Sequence, residues 1–172
     1  MTTSERCEVY VIIDGDWVSD TRPFFKAISE ASEIPLTRYE EVLADVISLN
    51  LDQQVSLNLL TFPRTRRFDF WYEFIASGSF LGAIVLFDVR DTWSWRSAKG
   101  AHGILEAYTD FPYIMAANNF QPDQWNIDDL RILMRLDKGT PLVPCDTSGV
   151  ESVKRVLLAL CEENLKYGTS SA

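Results

Sequence analysis

Apolar runs of strand length alternate along this chain with segments whose apolar residues recur at helical spacing. Val9-Tyr10-Val11-Ile12-Ile13 predicts a buried strand, and Pro23-Phe24-Phe25-Lys26-Ala27-Ile28-Ser29-Glu30 predicts a helix after it. Residues 43–50 and 54–62 form two β-prone runs joined by Leu51-Asp52-Gln53, the pattern of a hairpin. Beyond the hairpin the pattern predicts a helix over 67–77, a strand over 81–88, a helix over 93–108 and a strand over 112–118. A helix over 127–136, a short strand over 141–144 and a final helix over 149–164 complete it. In the final helix Val150, Val153, Val156, Leu157, Leu160 and Cys161 repeat on one face, and Glu151 and Arg155 form an i,i+4 pair. Ser148 and Glu151 are spaced as its capping box. Strands alternating with helices give an α/β class, interrupted once by the hairpin.

Composition narrows what such a domain can do. A chain of 172 residues that is 47% hydrophobic suits one globular domain with a real core. The formal charge of −9 argues against a general grip on nucleic acid or anionic lipid. No apolar run approaches the roughly 20 residues that span a bilayer, and the termini offer neither a myristoylation glycine nor a prenylated cysteine. These features predict a cytoplasmic protein without a direct membrane anchor. Cys7, Cys145 and Cys161 lack metal-ligand spacing, and their odd number suits a reducing compartment. With His102 the single histidine, a multi-histidine metal site is excluded.

The stretch Gly15-Asp16-Trp17-Val18-Ser19-Asp20-Thr21-Arg22 lies between the first strand and the first helix, where a phosphate-binding loop would lie. The G-x-x-x-x-G-K-[ST] pattern uses backbone N–H groups around the phosphates, a lysine for charge and a hydroxyl for magnesium. Here Asp20 stands for the second glycine, Thr21 for the lysine and Arg22 for the hydroxyl residue. Asp14, Asp16 and Asp20 place carboxylates around the pocket, which repel a triphosphate. Asp20 is suited to cap the helix N-terminus itself, and Pro23 suits its first turn. The loop is therefore expected to be self-occupied, with a carboxylate in place of a ligand's phosphate.

The element order is joined by three further signals. Ile84-Val85-Leu86-Phe87-Asp88 has the form of a central strand. Pro112-Tyr113-Ile114-Met115-Ala116-Ala117-Asn118-Asn119-Phe120-Gln121 ends where an N-K-x-D guanine-reading motif would stand, and Val143-Pro144-Cys145-Asp146 stands at the last base-contacting loop. On these residues the chain resembles Ras-like small GTPases, and through the run from Val143 to Leu158 the prokaryotic members related to gliding-motility and Arf-type domains. The resemblance covers residues 8–166, with short polar tails at 1–7 and 167–172. It implies a P-loop G-domain fold: a mostly parallel six-stranded sheet flanked by helices on both faces. It places the ancestral nucleotide site at Gly15, Asp20, Thr21, Arg22, Asn118, Asn119, Gln121, Cys145 and Asp146.

Each motif departs from the family toward lost chemistry. Thr21 cannot supply the lysine's charge, Asn119 replaces the base-motif lysine, and Gln121 replaces its aspartate. Leu60-Thr61-Phe62-Pro63-Arg64-Thr65-Arg66 lacks the glycine and glutamine that position water. The expectation is a pseudo-GTPase: a regulatory or scaffolding module with no catalytic residue, no metal site and no cofactor, GTP or GDP with magnesium entering only if the site is retained. The alternative is a GTPase that binds nucleotide weakly through Gly15, Asn118 and the Cys145 loop, with partner-dependent turnover. A remote alternative takes Asp14 and Asp16 as the D-x-D pair of a haloacid-dehalogenase-like phosphatase.

Protein contact then becomes the expected business of the surface. Phe68, Trp71, Tyr72 and Ile75 share one face of the helix predicted over 67–77, leaving Phe70 and Phe74 to the side. Phe70 and Phe74 are either covered by the inserted strands or a neighbouring helix or left as an aromatic docking patch. Arg64, Arg66 and Arg67 beside them either pair with acids such as Asp69 and Glu73 or receive an acidic partner. The family resemblance points to Roadblock-type regulators.

Overall fold

A computed structural model describes residues 6–16, 20–39, 44–62 and 80–170. The helix expected over 67–77, and with it Arg64, Arg66, Arg67, Phe70 and Phe74, lies outside the described residues. The strands are β1 (Cys7–Asp14), β2 (Thr37–Tyr39), β3 (Ala44–Asn50), β4 (Val55–Thr61), β5 (Phe80–Asp88), β6 (Tyr113–Asn118) and β7 (Leu142–Cys145). The helices described are α1 (Arg22–Ser32), α2 (Thr92–Tyr108), α3 (Ile127–Met134) and α4 (Val150–Ser170). All the strands join one sheet in the order β2-β3-β4-β1-β5-β6-β7. β4, β1, β5, β6 and β7 pair in parallel, while β3 runs antiparallel to both β4 and β2. The fold is thus α/β with a mixed sheet.

The sheet has seven strands where six were expected. The addition is β2, whose three residues pair Thr37 with Val46 and Tyr39 with Ala44 at the edge. Three residues are too few to carry a period-2 pattern, so the backbone pairing alone reveals them. The hairpin forms as expected. Asp52 closes it, its Oδ1 accepting from the amides of Gln54 at 2.6 Å and Val55 at 2.7 Å.

Both faces of the sheet are covered, and the sequence of β5 shows why it reads as a continuous apolar run. Ile84 and Leu86 point to one face, where Val11, Ile13, Phe24, Phe25, Ile28, Val153, Val156 and Leu160 pack around α1 and α4. Ala83, Val85 and Phe87 point to the other, meeting Ala98, Ala101 and Leu105 of α2 and Leu130 and Met134 of α3. His102 is buried on α2 and shares a 2.8 Å hydrogen bond between its Nδ1 and the Tyr113 hydroxyl, which braces the helix against β6.

Gly82 is fixed by close approach. A Cβ there would sit 2.4 Å from the Pro112 carbonyl oxygen and 2.7 Å from Leu160 Cδ1. Because the nearer neighbour is backbone, Gly82→Ala is expected to cost about 1–3 kcal/mol by overpacking, measured as a lower midpoint of denaturant unfolding.

Four expectations about α4 are corrected. The helix runs through Ser170, beyond the 164 expected. Ser148 forms no capping box: its hydroxyl and amide both turn to Asp146 Oδ1, at 2.6 and 3.0 Å, and Glu151 pairs with Lys154 at 2.9 Å instead of Arg155. The Asp146 carboxylate is simply the nearer acceptor. Cys161 is exposed, because Val153, Val156 and Leu160 alone define the fully buried stripe and the next residue turns about 100° away.

Candidate functional site

The carboxyl ends of β1, β5, β6 and β7 meet along one edge of the sheet, at Asp14, Asp88, Asn118 and Cys145. The connection that follows β1 runs toward β2 on one side of the sheet and the connection that follows β5 runs toward β6 on the other, and the gap between two such neighbouring strands is where open α/β sheets form their ligand crevice. Every candidate residue from the first loop, the β6 end and the β7 end falls on this edge.

The described ends of the first loop, Asp16 and Asp20–Thr21, bond to each other. The Asp16 carbonyl accepts the amides of both Asp20 and Thr21 at 2.9 Å, and the Thr21 hydroxyl at 3.3 Å. These are donors that a phosphate-binding loop directs at its anion. Thr21, at the place of the motif's lysine, is fully buried, while Arg22 is exposed. Gly15 permits the tight passage: a Cβ there would lie 3.0 Å from Leu86 Cβ and 3.2 Å from Asp20 Cβ.

Asp20 corrects its expected role in detail. The residue preceding α1 is Thr21, and its side chain makes no capping hydrogen bond. The Asp20 carboxylate turns inward instead, accepting from Asn118 Nδ2 at 2.8 Å and from the Asp16 amide at 3.3 Å. Asp20 is fully buried. Burial is the main reason that its carboxyl titrates near 6, with the neighbouring Asp88 and Asp16 charges adding to the effect and the Asn118 and Asp16 hydrogen bonds opposing it.

Asn118 is the hub. While its Nδ2 holds Asp20, its Oδ1 accepts the amides of Asn119 at 3.0 Å and of Thr147 at 3.1 Å. One buried amide thus ties the β1–α1 loop, the β6 end and the β7–α4 loop together. Asn119 adopts φ 59°, a left-handed conformation that asparagine tolerates, and swings its side chain onto Asp88 Oδ2 at 2.9 Å. Arg90 grips the same carboxylate with its Nε at 3.1 Å and its Nη2 at 2.9 Å. Those partners outweigh burial and hold the Asp88 carboxyl below the usual range.

The remaining candidates are placed as follows. Gln121 is exposed, and its carbonyl accepts the amides of Gln124 and Trp125 in a turn. Asp146 organises the β7–α4 loop by holding Ser148, while its own amide donates to Ser152 Oγ at 2.8 Å. Cys145 is buried and its thiol is pushed up to about 12, chiefly by that burial. Maleimide labelling of the native protein should therefore modify the exposed Cys7 and Cys161 and reach Cys145 only on unfolding. Asp14 is buried at the end of β1 and Asp16 lies in the loop, where its carbonyl serves as the acceptor described above. Among the described residues, no group of three or more His, Cys, Asp or Glu side chains could hold a metal ion.

Sequence inspection missed Asp88, Arg90 and Thr147 as members of this network. Asp88 carried a signal, an acid ending an otherwise apolar strand. Thr147 carried none, since it acts through Asn118, 29 residues earlier, and Arg90 reads as an ordinary exposed arginine although its partner Asp88 is only two residues away.

No known protein family and no curated protein matches the chain.

Proposed function

We propose that this chain is a Ras-like domain whose nucleotide site is closed by its own groups, and that it works as a regulatory or scaffolding protein-interaction module without nucleotide turnover. The observation that carries this proposal is the placement of Asp20. Its buried carboxylate lies between the Asp16 amide and Asn118, so a negative group already occupies the crevice where a phosphate would need those donors. The adjoining amides of Asp20 and Thr21 are directed at the Asp16 carbonyl. An incoming phosphate would meet a carboxylate in a low-dielectric site and no lysine.

The strand order supports the Ras-like part of the proposal. Without β2, the sheet reads β3-β4-β1-β5-β6-β7 with β3 alone reversed, the six-stranded arrangement that the family resemblance implies. For the partner, we extend the proposal to the arginines Arg64, Arg66 and Arg67 with Phe70 and Phe74, facing an acidic surface of the Roadblock-type regulator class.

Two measurements test the proposal. Heat-released nucleotide from freshly purified protein should be far below stoichiometric, and near-stoichiometric GDP or GTP would overturn the closed site. Affinity capture with the wild-type chain should retain a protein partner that the Arg64→Glu/Arg66→Glu variant loses while remaining folded.

A further inference from the structure

The turn between β6 and α3 builds a groove of about 680 Å³ that shares no residue with the crevice network. Phe120, Trp125 and Ile127 line it, each half-buried and packed partly on the core behind it, together with the exposed Pro122 and Pro144. Its backbone is held by the Gln121 carbonyl, which accepts the amides of Gln124 at 3.0 Å and Trp125 at 2.9 Å, and by Asn126, whose Oδ1 accepts the Asp128 amide at 2.8 Å. The Trp125 ring meets Trp95 edge-on, 5.6 Å between centroids, and Trp95 is anchored through its own indole N–H to the Asp88 carbonyl at 2.9 Å. A surface held in this way costs little to order on binding.

The polar groups of the groove identify what fits it. Unlike that of Trp95, the indole N–H of Trp125 has no hydrogen-bond partner among the described residues. The charges that line the groove are the exposed carboxylates of Asp123 and Asp129, and among the described residues neither has an ion-pair or hydrogen-bond partner. No lysine or arginine is among the lining residues. The α3 dipole accommodates Asp129 in the first turn of the helix, but Asp123 lies outside it. Aromatic and prolyl surface, a free indole donor and an acidic rim are complementary to one chemistry. An extended segment lays its prolines on the apolar lining, accepts the indole N–H at a backbone carbonyl and brings arginines onto the aromatic rings and the two carboxylates. An acidic segment meets repulsion at the same rim.

We propose that the groove between the β6–α3 turn and the end of β7 docks an extended, proline- and arginine-bearing segment of a partner protein, with Trp125 as donor and Asp123 and Asp129 as the charges that receive its arginines. The contact is distinct from the arginines assigned to an acidic partner. It uses no residue of the crevice network, so it stands or falls independently of whether the crevice is closed.

A short fluorescent peptide of alternating proline and arginine is the probe, titrated with the full chain at about 0.15 M salt, where distant exposed charges are screened. The expected result is saturable binding. Asp123→Lys/Asp129→Lys should weaken it about tenfold or more with an unchanged circular dichroism spectrum. Asp110→Lys/Glu162→Lys makes the same change of net charge at exposed acids outside the groove and should bind within about twofold of wild type. Trp125→Phe keeps an aromatic ring beside Trp95 and removes the donor, and should weaken binding about threefold or more. Backbone amide shifts on adding the peptide should centre on Phe120, Trp125 and Asp129. Absence of binding at millimolar protein overturns the proposal, and so does equal weakening by the two double variants, which would leave overall charge as the cause. Free argininamide that binds as tightly as the peptide would make the groove a small-cation site, and self-association lost in Asp123→Lys/Asp129→Lys would make it a contact between copies of this chain; either result also overturns it.

Discussion

Asn118→Ala is expected to cost about 3–5 kcal/mol of folding stability, since it strands several buried groups at once. The side chain is 2% exposed, so water cannot replace it. Its removal leaves the amides of Asn119 and Thr147 without their Oδ1 acceptor and takes from the Asp20 carboxylate the stronger of its hydrogen bonds. Each unsatisfied buried partner costs about 1–3 kcal/mol, and the one attached to a charge lies at the upper end. Denaturant unfolding measures the loss. Asn118→Asp separates the terms, because it keeps an acceptor for both amides but sets a second carboxylate against Asp20. It should therefore be more stable in acid than at neutral pH, and a loss for Asn118→Ala below about 1 kcal/mol would remove the hub from the account.

Mild acid is expected to stabilise the protein through Asp20. Its carboxyl titrates at 3.8 when unfolded and at about 6 in the fold, so between those values the folded state holds a proton that the unfolded state has released. Stability then rises as pH falls. The gain begins as pH drops through about 6 and is complete below 3.8, and it corresponds to about 3 kcal/mol. Asp88 acts in the opposite sense: with its carboxyl held below the usual range by Arg90, its contribution is present at neutral pH and is lost in stronger acid. The difference between wild type and Asp20→Ala isolates the first effect. Wild-type stability measured from pH 7 to pH 5 should rise relative to the variant, and parallel profiles would show that Asp20 is not buried as a carboxylate.

The two effects share one origin, and the sequence shows only half of it. The strand-length runs at β1, β4 and β5 and the helical spacing in α2 and α4 were legible because burial on both sheet faces imposes them on the residues themselves. That the Asp20 carboxylate engages neighbouring groups of its own chain was legible too, from its position in the loop. Its target was not. The carboxylate was expected to cap the helix that follows it and instead reaches Asn118, 98 residues later. Local propensity carries no information about such a partner, and here the loop's own carbonyl at Asp16 had already taken the helix-proximal amides.

The same limit accounts for the smaller differences. Ser148 has the spacing of a cap, but Asp146 offers a charged acceptor two residues away. Cys161 shares the apolar character of the core stripe without sharing its direction, since periodicity marks a face only to within one neighbouring position. β2 is too short to announce itself and is defined by the strand beside it. In each case a contact between groups decided what composition left open.

A titration of the nucleotide-free protein with GDP and GTP in the presence of magnesium, followed by calorimetry and by the thermal unfolding midpoint, tests the closed crevice most directly. The account predicts no heat of binding and no rise in the midpoint at millimolar nucleotide, for wild type at neutral pH. Saturable binding of either nucleotide in the micromolar range, with a matching rise in the midpoint, would contradict it.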